Sequence, residues 1–301
     1  MQEVVSELRS AGIRRILLDE PMSNHTTWKI GGPADLFVVP ETKQQLADTI
    51  NILHRHRVPW MKIGRGSNML VLDKGIRGAV VKLGGGLDYA SIADSTVTAG
   101  AAYGLIKLSV VAGKAGLTGL EFAGGIPGSV GGAVYMNAGA HGSDISRILA
   151  SVEVLDETGK FARWSASDLC FAYRHSKLQQ TSVVVTEAVF QLAYGDRKEI
   201  AAAMAAHKNR RLQTQPLQSA CAGSVFRNPE NQHAAKLIEQ AGLKGTRVGG
   251  AEISPLHANF IVNVANATAN DVLTLIELIQ NKIFALYKVR LIPEVLVVGE
   301  R

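Results

Sequence analysis

The chain has 301 residues, of which 47% are hydrophobic, with a formal net charge of +6 and a sequence pI of about 9.3. This length predicts two or three domains with buried cores. No apolar run reaches the ~18 residues that a membrane-spanning helix needs. The charged start, Met1-Gln-Glu-Val-Val-Ser-Glu-Leu-Arg9, does not fit a secretory leader. We therefore expect neither membrane insertion nor export.

The cysteines and the charge distribution limit the kinds of ligand and partner that are expected for the chain. Cys170 and Cys221 lack metal-ligand spacing, which is typical of free thiols in a reducing compartment, so a cytoplasmic protein without a metal site is expected. Basic residues form only short clusters, and aromatic residues make up 6% of the chain, which disfavours a nucleic-acid surface. The surplus positive charge suits small polyanionic ligands, although a merely basic surface accounts for it equally well.

The first predicted unit is a small α/β arrangement within residues 34–83. Residues 34–39 are strand-like and end at Pro40, and Thr42 with Gln45 predicts a capping box at the start of a helix. The helix carries three apolar residues on one face, namely Leu46, Ile50 and Leu53. After Pro59, residues 60–63 predict the next strand.

The loop Gly64-Arg65-Gly66-Ser67-Asn68 follows that strand. It resembles the start of a dinucleotide-binding fingerprint, but Met69 stands where a third small residue is required, and residues 69–72 look like a strand instead of a helix. The sequence therefore excludes a Rossmann site. Successive backbone amides, with the side chains of Ser67 and Asn68, can still hold a phosphate, and a plain hairpin turn is an equally good interpretation.

A glycine-rich segment, residues 119–142, is the most informative part of the chain. Eight of its 24 residues are glycine, and Glu121 is its only carboxylate or Lys/Arg side chain. Glycine lets backbone approach a partner closely. The segment predicts a surface of backbone amides against a large, flat, anionic ligand such as a dinucleotide. The alternative is a mobile surface loop, but its apolar residues would be costly to leave in water.

The remaining elements of the second unit follow in order. A helix is expected over 105–115, ending at Gly116, and strands over 152–156 and 160–164 predict a hairpin. Residues 182–192 read as a long strand. Asp196 and Glu199 cap an alanine-rich helix through about Arg211.

A connector over 212–217 leads to the third predicted unit. Its helices are expected at 230–241, before Gly242, and from Thr268 onward, with strands near 260–262 and 294–297. The second helix should bury one apolar face, made of Val272, Leu275, Ile276, Ile279, Ile283 and Leu286. The predicted domains are therefore residues 1–83, 84–211 and 212–301.

Seven segments together resemble the bacterial UDP-N-acetylenolpyruvoylglucosamine reductases and occur in that family's order. They are residues 24–35, the Gly64 loop, the glycine-rich segment, and residues 171–176, 222–229, 257–263 and 293–295. The resemblance implies an α+β fold: a two-subdomain FAD-binding module of the p-cresol methylhydroxylase (vanillyl-alcohol oxidase) type and a C-terminal α/β substrate-binding domain. The chain looks like the shorter form of the family, which lacks an insertion carrying a tyrosine.

The resemblance also implies the reaction. NADPH would reduce noncovalently bound FAD, and hydride would pass from the flavin N5 atom to the enolpyruvyl ether of a UDP-sugar, giving UDP-N-acetylmuramate for peptidoglycan synthesis. Negative charge would develop beside the substrate carboxylate, which requires preplaced cations or hydrogen-bond donors and then a proton. The oligomeric state is left open, and a monomer is compatible with the pattern.

Site residues are carried over from the family motifs. Arg174 would bind the carboxylate, Ser224 would donate the proton, and Glu294 would help polarise the intermediate, whereas a surface ion pair, a turn serine and an exposed strand glutamate are the ordinary interpretations. Tyr173 and Asn228 would contact substrate, although Asn228 fits a helix N-cap equally well. The implied FAD contacts are Gly64, Arg65, Gly66, Ser67, Asn68, Gly124, Gly125, Ile126, Pro127, Gly128, Ser129, Gly131, Gly132, Asn137, Ala138 and Gly139.

Other functional classes remain open at this point. An FAD-dependent oxidase or dehydrogenase for alcohols or hydroxy acids would use the same module and would not need Ser224. A flavin-carrying module without catalysis is a second alternative. A basic RNA-binding protein is the least supported, because the positive charge is scattered.

Overall fold

A computed structural model describes residues 1–301 of the chain. The helices are α1 (Gln2–Ser10), α2 (Lys43–Arg55), α3 (Leu105–Lys114), α4 (Val130–Tyr135), α5 (Arg197–Thr214), α6 (Ala234–Gln240) and α7 (Ala269–Tyr287). The strands are β1 (Arg15–Pro21), β2 (Pro33–Val39), β3 (Trp60–Ile63), β4 (Met69–Val71), β5 (Ile76–Lys82), β6 (Ala90–Ala93), β7 (Thr96–Gly100), β8 (Leu117–Thr118), β9 (Gly139–Ala140), β10 (Ser143–Asp144), β11 (Leu149–Leu155), β12 (Phe161–Ser165), β13 (Val184–Gln191), β14 (Ala193–Tyr194), β15 (Arg247–Val248), β16 (Ala251–Ile253), β17 (Ile261–Asn263) and β18 (Leu296–Val298). None of the helices is long and apolar enough to cross a membrane.

Backbone contacts divide the chain into two compact units. The first unit comprises Met1–Leu18, Leu36–Arg65 and Gly78–Arg210, and the second comprises Asp19–Asp35, Gly66–Arg77 and Arg211–Arg301. The predicted division into residues 1–83, 84–211 and 212–301 stays a prediction. The second unit takes two segments from the N-terminal third of the chain, so chain order and spatial order differ.

Helices α1 and α2 cover a four-stranded sheet of order β1-β2-β5-β3. The hydroxyl of Thr42 accepts a hydrogen bond from Gln45 N at 3.1 Å, and thereby caps α2 as the sequence predicts. The reciprocal bond of a capping box is absent, because Gln45 Oε1 accepts from Glu41 N at 2.8 Å instead of from Thr42 N. The predicted apolar face is buried as expected, at Leu46, Ile50 and Leu53.

A five-stranded antiparallel sheet of order β12-β11-β13-β7-β6 forms the other part of the first unit. Strands β11 and β12 form the predicted hairpin, and β13 lies within the predicted long strand. Helix α3 ends at Lys114, next to Gly116 with its φ of +80°, as the sequence indicates. Apolar residues of this sheet, of α3 and of the glycine-rich segment share one core.

Helix α5 is the last helix of the first unit along the chain. Asp196 Oδ1 accepts hydrogen bonds from Lys198 N at 2.8 Å and Glu199 N at 3.0 Å, which satisfies backbone donors of the first turn. The helix continues to Thr214, so part of the predicted connector 212–217 is helical. Ile200 is the one fully buried residue of α5, and the alanine-rich pattern gives no further inward-facing stripe.

The second unit is built around the three-stranded sheet β15-β16-β17 and helices α6 and α7. Thr268 and Asp271 form a capping box at the start of α7, and the Asp73 carboxylate accepts from Ala269 N at 2.8 Å. Two expectations from the sequence are wrong in this unit. Helix α6 starts at Ala234 instead of residue 230, and Leu286 is 50% exposed because it lies in the last turn of α7, off the buried face.

Candidate functional site

The Gly64 loop joins two strands that are not partners of each other. Strand β3 pairs in parallel with β5, whereas β4 pairs in parallel with β18. The hairpin-turn interpretation of this loop is therefore wrong. Gly64 and Arg65 belong to the first unit, and Gly66, Ser67 and Asn68 belong to the second.

The backbone around residue 66 leaves no room for any residue other than glycine. Its φ is +63°, and a Cβ atom would lie 2.2 Å from the His25 carbonyl oxygen. Its own carbonyl accepts a hydrogen bond from Thr27 N at 3.2 Å. An L side chain at this position would have to displace backbone, so local packing alone explains this glycine.

Three cations gather at the carboxyl ends of β3 and β5. Lys82 is opposite Ile63 in the parallel pair, directly before the Gly64 loop. Burial lowers the pKa of Lys82, and the positive charges of Arg15 and Arg65 lower it further. Ligands of α/β sheets bind at the carboxyl ends of strands. The positive charges of Lys82, Arg15 and Arg65 at this edge suit an anionic ligand.

The glycine-rich segment has a defined conformation. It contains α4, whose N-cap residue Ser129 accepts from Gly132 N at 3.4 Å. Val130 N donates to Tyr103 O at 2.8 Å, and Gly131 N donates to Ala101 O at 2.9 Å. The interpretation of this segment as a mobile surface loop is therefore wrong.

Four of its eight glycines fall into two groups. A Cβ atom at Gly131 would lie 2.9 Å from Ala101 Cβ, and one at Gly139 would lie 2.5 Å from Ser143 O, so protein packing explains both. At Gly124 and Gly132 the nearest protein atoms would be 3.4 Å and 3.5 Å away, an ordinary contact distance. These two positions are not explained by packing, and Gly132 is exposed.

The other predicted cofactor residues differ in exposure. Gly64, Ser67, Asn68, Gly125, Ile126, Gly128 and Ala138 are half-buried, Arg65 and Pro127 are exposed, and Ser129 is buried. Asn137 is buried, and its amide donates to Ala172 O at 3.0 Å and accepts from Ser146 N at 3.0 Å. Its side chain therefore holds two backbone segments together.

Arg174 lies against the glycine-rich segment. It has a φ of +54°, and its Nη2 atom donates to Gly139 O at 2.7 Å. The guanidinium carbon is 5.0 Å from the ring centre of Tyr173, whose side chain is largely exposed. The structure thus brings Arg174, Tyr173 and the glycine-rich segment together within the first unit.

Two further side chains fasten the Arg174 loop. Ser176 Oγ donates to Tyr135 O at 2.7 Å, and Gln179 Nε2 donates to Tyr135 O at 3.0 Å and Arg174 O at 3.1 Å. Ser176 is fully buried. The sequence motif at 171–176 contains this serine, and its role is to fix the loop that presents Arg174.

Ser224 and Glu294 come together in the second unit. Glu294 N donates to Val225 O at 2.7 Å, and Arg227 N donates to Ile292 O at 3.0 Å, so the two segments run antiparallel. Ser224 is half-buried, and no hydrogen bond joins its hydroxyl to another residue of the chain. The predicted proton donor and its neighbouring carboxylate are thus placed on adjacent backbone.

Asn68 reaches the same place from the Gly64 loop. Its Nδ2 atom donates to Glu294 O at 3.2 Å, and its carbonyl accepts from Leu296 N at 3.0 Å. Asn228, by contrast, is exposed, and its side-chain oxygen accepts from Ala234 N at 3.1 Å. Asn228 therefore accepts a hydrogen bond from the first residue of α6, but His233 occupies the N-cap position, so the N-cap interpretation of Asn228 is wrong and its contact with substrate stays a prediction.

The sequence alone assigns no role to Asn259, which is 4% exposed and forms hydrogen bonds with Phe226 in the Ser224 segment, residues 221–227. The only sequence signal is an amide between the apolar residues Ala258 and Phe260 within the motif at 257–263. The chain holds no group of three or more His, Cys, Asp or Glu side chains placed to bind a metal ion.

The first unit fits an FAD on its own chemistry. The exposed Gly132 and the cations at Lys82, Arg65 and Arg15 supply close backbone approach and positive charge, which a flavin dinucleotide needs. The His141 ring, near the end of the glycine-rich segment, stacks on His207 with centroids 3.9 Å apart.

Family models match both parts of the chain. A model for "FAD binding domain" matches residues 34–165, and a model for "UDP-N-acetylenolpyruvoylglucosamine reductase, C-terminal domain" matches residues 215–298. Fold comparison agrees. A berberine bridge enzyme superposes with a TM-score of 0.51 at 14% identity, covering 64% of this chain and 44% of that one, a likeness of fold alone. The fold and the site thus define an FAD-binding oxidoreductase, and the predicted fold class is confirmed.

Curated relatives extend the match to the whole chain. The UDP-N-acetylenolpyruvoylglucosamine reductase of Bacillus licheniformis is 50% identical over 302 residues, with 100% of both chains covered. That of Anoxybacillus flavithermus is 52% identical over 302 residues, again with 100% of both covered. A crystal structure of the Thermus caldophilus reductase superposes with a TM-score of 0.82 at 36% identity, covering 95% of this chain and 100% of that one. The chain belongs to the family of UDP-N-acetylenolpyruvoylglucosamine reductases.

Proposed function

We propose that this chain uses NADPH and FAD to reduce the enolpyruvyl ether of UDP-N-acetylglucosamine enolpyruvate, giving UDP-N-acetylmuramate for peptidoglycan synthesis. The observation that carries the proposal is the identity of about 50% to curated reductases along the full length of both chains. The expected setting is the cytoplasm, and the two free cysteines fit a reducing compartment.

The reaction needs a binding group for the substrate carboxylate. Charge that develops beside this carboxylate is stabilised best by a donor that is already in place. Arg174 suits this role because Ser176 and Gln179 fix its loop and because Gly139 O orients its guanidinium. A guanidinium can also donate two parallel hydrogen bonds to a carboxylate.

The reaction also needs one proton. The Ser224 hydroxyl would hold it at Oγ, and a basic, enolate-like carbon can take it although a hydroxyl is a weak acid. The position of Glu294 beside the Ser224 segment, through the bond from Glu294 N to Val225 O at 2.7 Å, supports a joint role for the two residues. Glu294, in its protonated form, would donate a hydrogen bond to the developing enolate.

The FAD would be held in the first unit, by Gly64 and Arg65 and by the open glycines of the glycine-rich segment. When bound, FAD supplies hydride for the terminal carbon of the substrate after reduction by NADPH. Lys82 and Arg65 would neutralise its pyrophosphate, and Gly132 would admit close approach of a flat group. The oxidase alternative rests on fold likeness at 14% identity, and no observation in this chain favours it.

The purified holoenzyme tests the proposal in two half-reactions. NADPH alone should bleach the yellow flavin, and the enolpyruvyl sugar nucleotide should restore the colour with formation of the lactyl ether. One NADPH should be consumed per sugar nucleotide. A colourless protein, or flavin reduction by simple alcohols with no turnover of the sugar nucleotide, would contradict the proposal.

A further inference from the structure

Asn259 forms hydrogen bonds with three backbone atoms of the Ser224 segment. Its Nδ2 atom donates to Phe226 O at 2.8 Å, and its Oδ1 atom accepts from Phe226 N at 2.9 Å. Its own carbonyl accepts from Val225 N at 2.8 Å. One residue therefore satisfies three of the four polar main-chain atoms of the two residues directly after Ser224.

The Ser224 segment has no other regular support on that side. Residues 221–227 belong to no helix or named strand, and a single bridge joins Phe226 to Pro293. Phe226 and Asn259 are 1% and 4% exposed. Water could therefore not replace the hydrogen bonds between them if the Asn259 side chain were removed. The Asn259 amide thus takes the place of a neighbouring strand.

The opposite side of the same segment carries Glu294. Val225 accepts from Glu294 N, and Val225 N donates to Asn259 O. The peptide groups around Val225 therefore lie between Asn259 on one side and Glu294 on the other. A shift of this backbone would move the Ser224 hydroxyl and the Glu294 main chain together.

We propose that Asn259 is a positioning residue for proton delivery: its amide fixes the backbone register that aims Ser224 Oγ and aligns Glu294 beside it. This inference rests on the proposed function. A misplacement of about 1 Å can cost on the order of 10²-fold in rate. The loss should fall on reoxidation by substrate, because flavin reduction by NADPH does not use the Ser224 proton.

The experiment compares Asn259→Ala with Asn263→Ala in the holoenzyme. Asn263 is a matched control, because its amide also joins two backbone segments, donating to Trp28 O at 3.1 Å and accepting from Ala267 N at 2.9 Å. Stopped-flow absorbance should show reoxidation by the enolpyruvyl sugar nucleotide slowed on the order of 10²-fold in Asn259→Ala only. Flavin reduction by NADPH should stay within about twofold of wild type in both variants.

A double variant tests whether Asn259 acts through Ser224. Adding Asn259→Ala to Ser224→Ala should slow reoxidation little further, because the misplaced donor is already absent. Multiplied effects would overturn the inference, as would equal slowing in the Asn263→Ala control or equal losses in both half-reactions.

Asn259→Asp serves if Asn259→Ala does not fold. It keeps the acceptor for Phe226 N and loses the donor to Phe226 O, which a carboxyl group regains when it is protonated. Its slowing should therefore shrink as pH falls, and a constant deficit would contradict the inference. Wild-type enzyme that the sugar nucleotide does not reoxidise would overturn the proposed function as well, whereas normal wild-type reoxidation with an unslowed Asn259 variant would overturn this inference alone.

Discussion

The glycine-rich segment of the first unit and the Ser224 segment of the second both carry predicted site residues, but different groups fix them. In the glycine-rich segment, backbone bonds to Ala101 and Tyr103 and the absence of side chains permit close packing. In the Ser224 segment, a buried amide side chain takes the partner's role. Substitutions that add side-chain atoms should therefore disturb the glycine-rich segment, whereas substitutions that remove the Asn259 amide should disturb the Ser224 segment.

The largest expected effect belongs to the second segment. Ser224→Ala should slow reoxidation of the reduced flavin by the sugar nucleotide by about 10²–10⁴-fold, the usual range for a lost proton donor. Flavin reduction by NADPH should be nearly unchanged. Single-turnover absorbance measurements of the two half-reactions separate these outcomes, and equal losses in both would remove Ser224 from proton delivery.

A smaller loss is expected for the arginine beside the glycine-rich segment. Arg174→Met should slow substrate reduction by about 10²–10³-fold, because a preplaced cationic donor is lost. Arg174→Lys keeps the charge without the fork and should lie between wild type and Arg174→Met. Steady-state rates with the sugar nucleotide measure this, with Arg163→Met on β12 as an exposed control; an Arg174→Met enzyme as fast as that control would contradict the assignment.

Stability of the first unit should depend on pH through Lys62. Its Nζ atom donates to Val183 O at 2.6 Å and Thr181 O at 3.2 Å, and burial lowers its pKa from 10.5 to about 8. Between these values the unfolded state binds the extra proton, so the free energy of unfolding should rise with pH across the window. Relative to Lys62→Met, wild type should gain up to about 3 kcal/mol. Denaturant titrations from pH 8 to pH 10.5 check this, and parallel curves for the two proteins would contradict it.

The smallest effects distinguish the two groups of glycines. Gly131→Ala should destabilise the flavin-free protein by about 1–3 kcal/mol, because the added methyl group meets Ala101. Gly132→Ala should leave that stability unchanged or raised by roughly 0.5–1 kcal/mol, since alanine suits a helix better, and should weaken FAD binding. Thermal unfolding without FAD and titration with FAD measure the two properties. Full FAD affinity in Gly132→Ala would show that the flavin does not lie against this glycine.

Local patterns predicted the elements that their own residues control. Thr42, Asp196 and Thr268 mark true helix starts, because a cap depends on neighbours three residues away. Leu286 was assigned to the core wrongly, since periodicity does not reveal where packing against a helix stops. The partner of β4 is β18, at the other end of the chain, and no local signal at Met69 could indicate it.

Site residues that lie in family motifs could be predicted from the sequence. Roles that depend on tertiary contacts could not. Arg174, Ser224 and Glu294 stood out through motifs, and their joint role stays a prediction. Asn137 and Asn259 look alike in sequence, as amides within apolar stretches. Only the fold shows that one joins Ala172 to Ser146 and the other holds Phe226.

The three-part origin of the second unit has a consequence for biosynthesis. Trp28 and Leu70 are fully buried in a core completed by residues beyond 220. At about 5–20 residues per second, these side chains leave the ribosome roughly 11–54 s before Leu296–Val298, the strand that pairs with β4. During that interval the nascent polypeptide exposes them to solvent and to chaperones. A premature stop codon in the last few residues would therefore harm a region that was translated first.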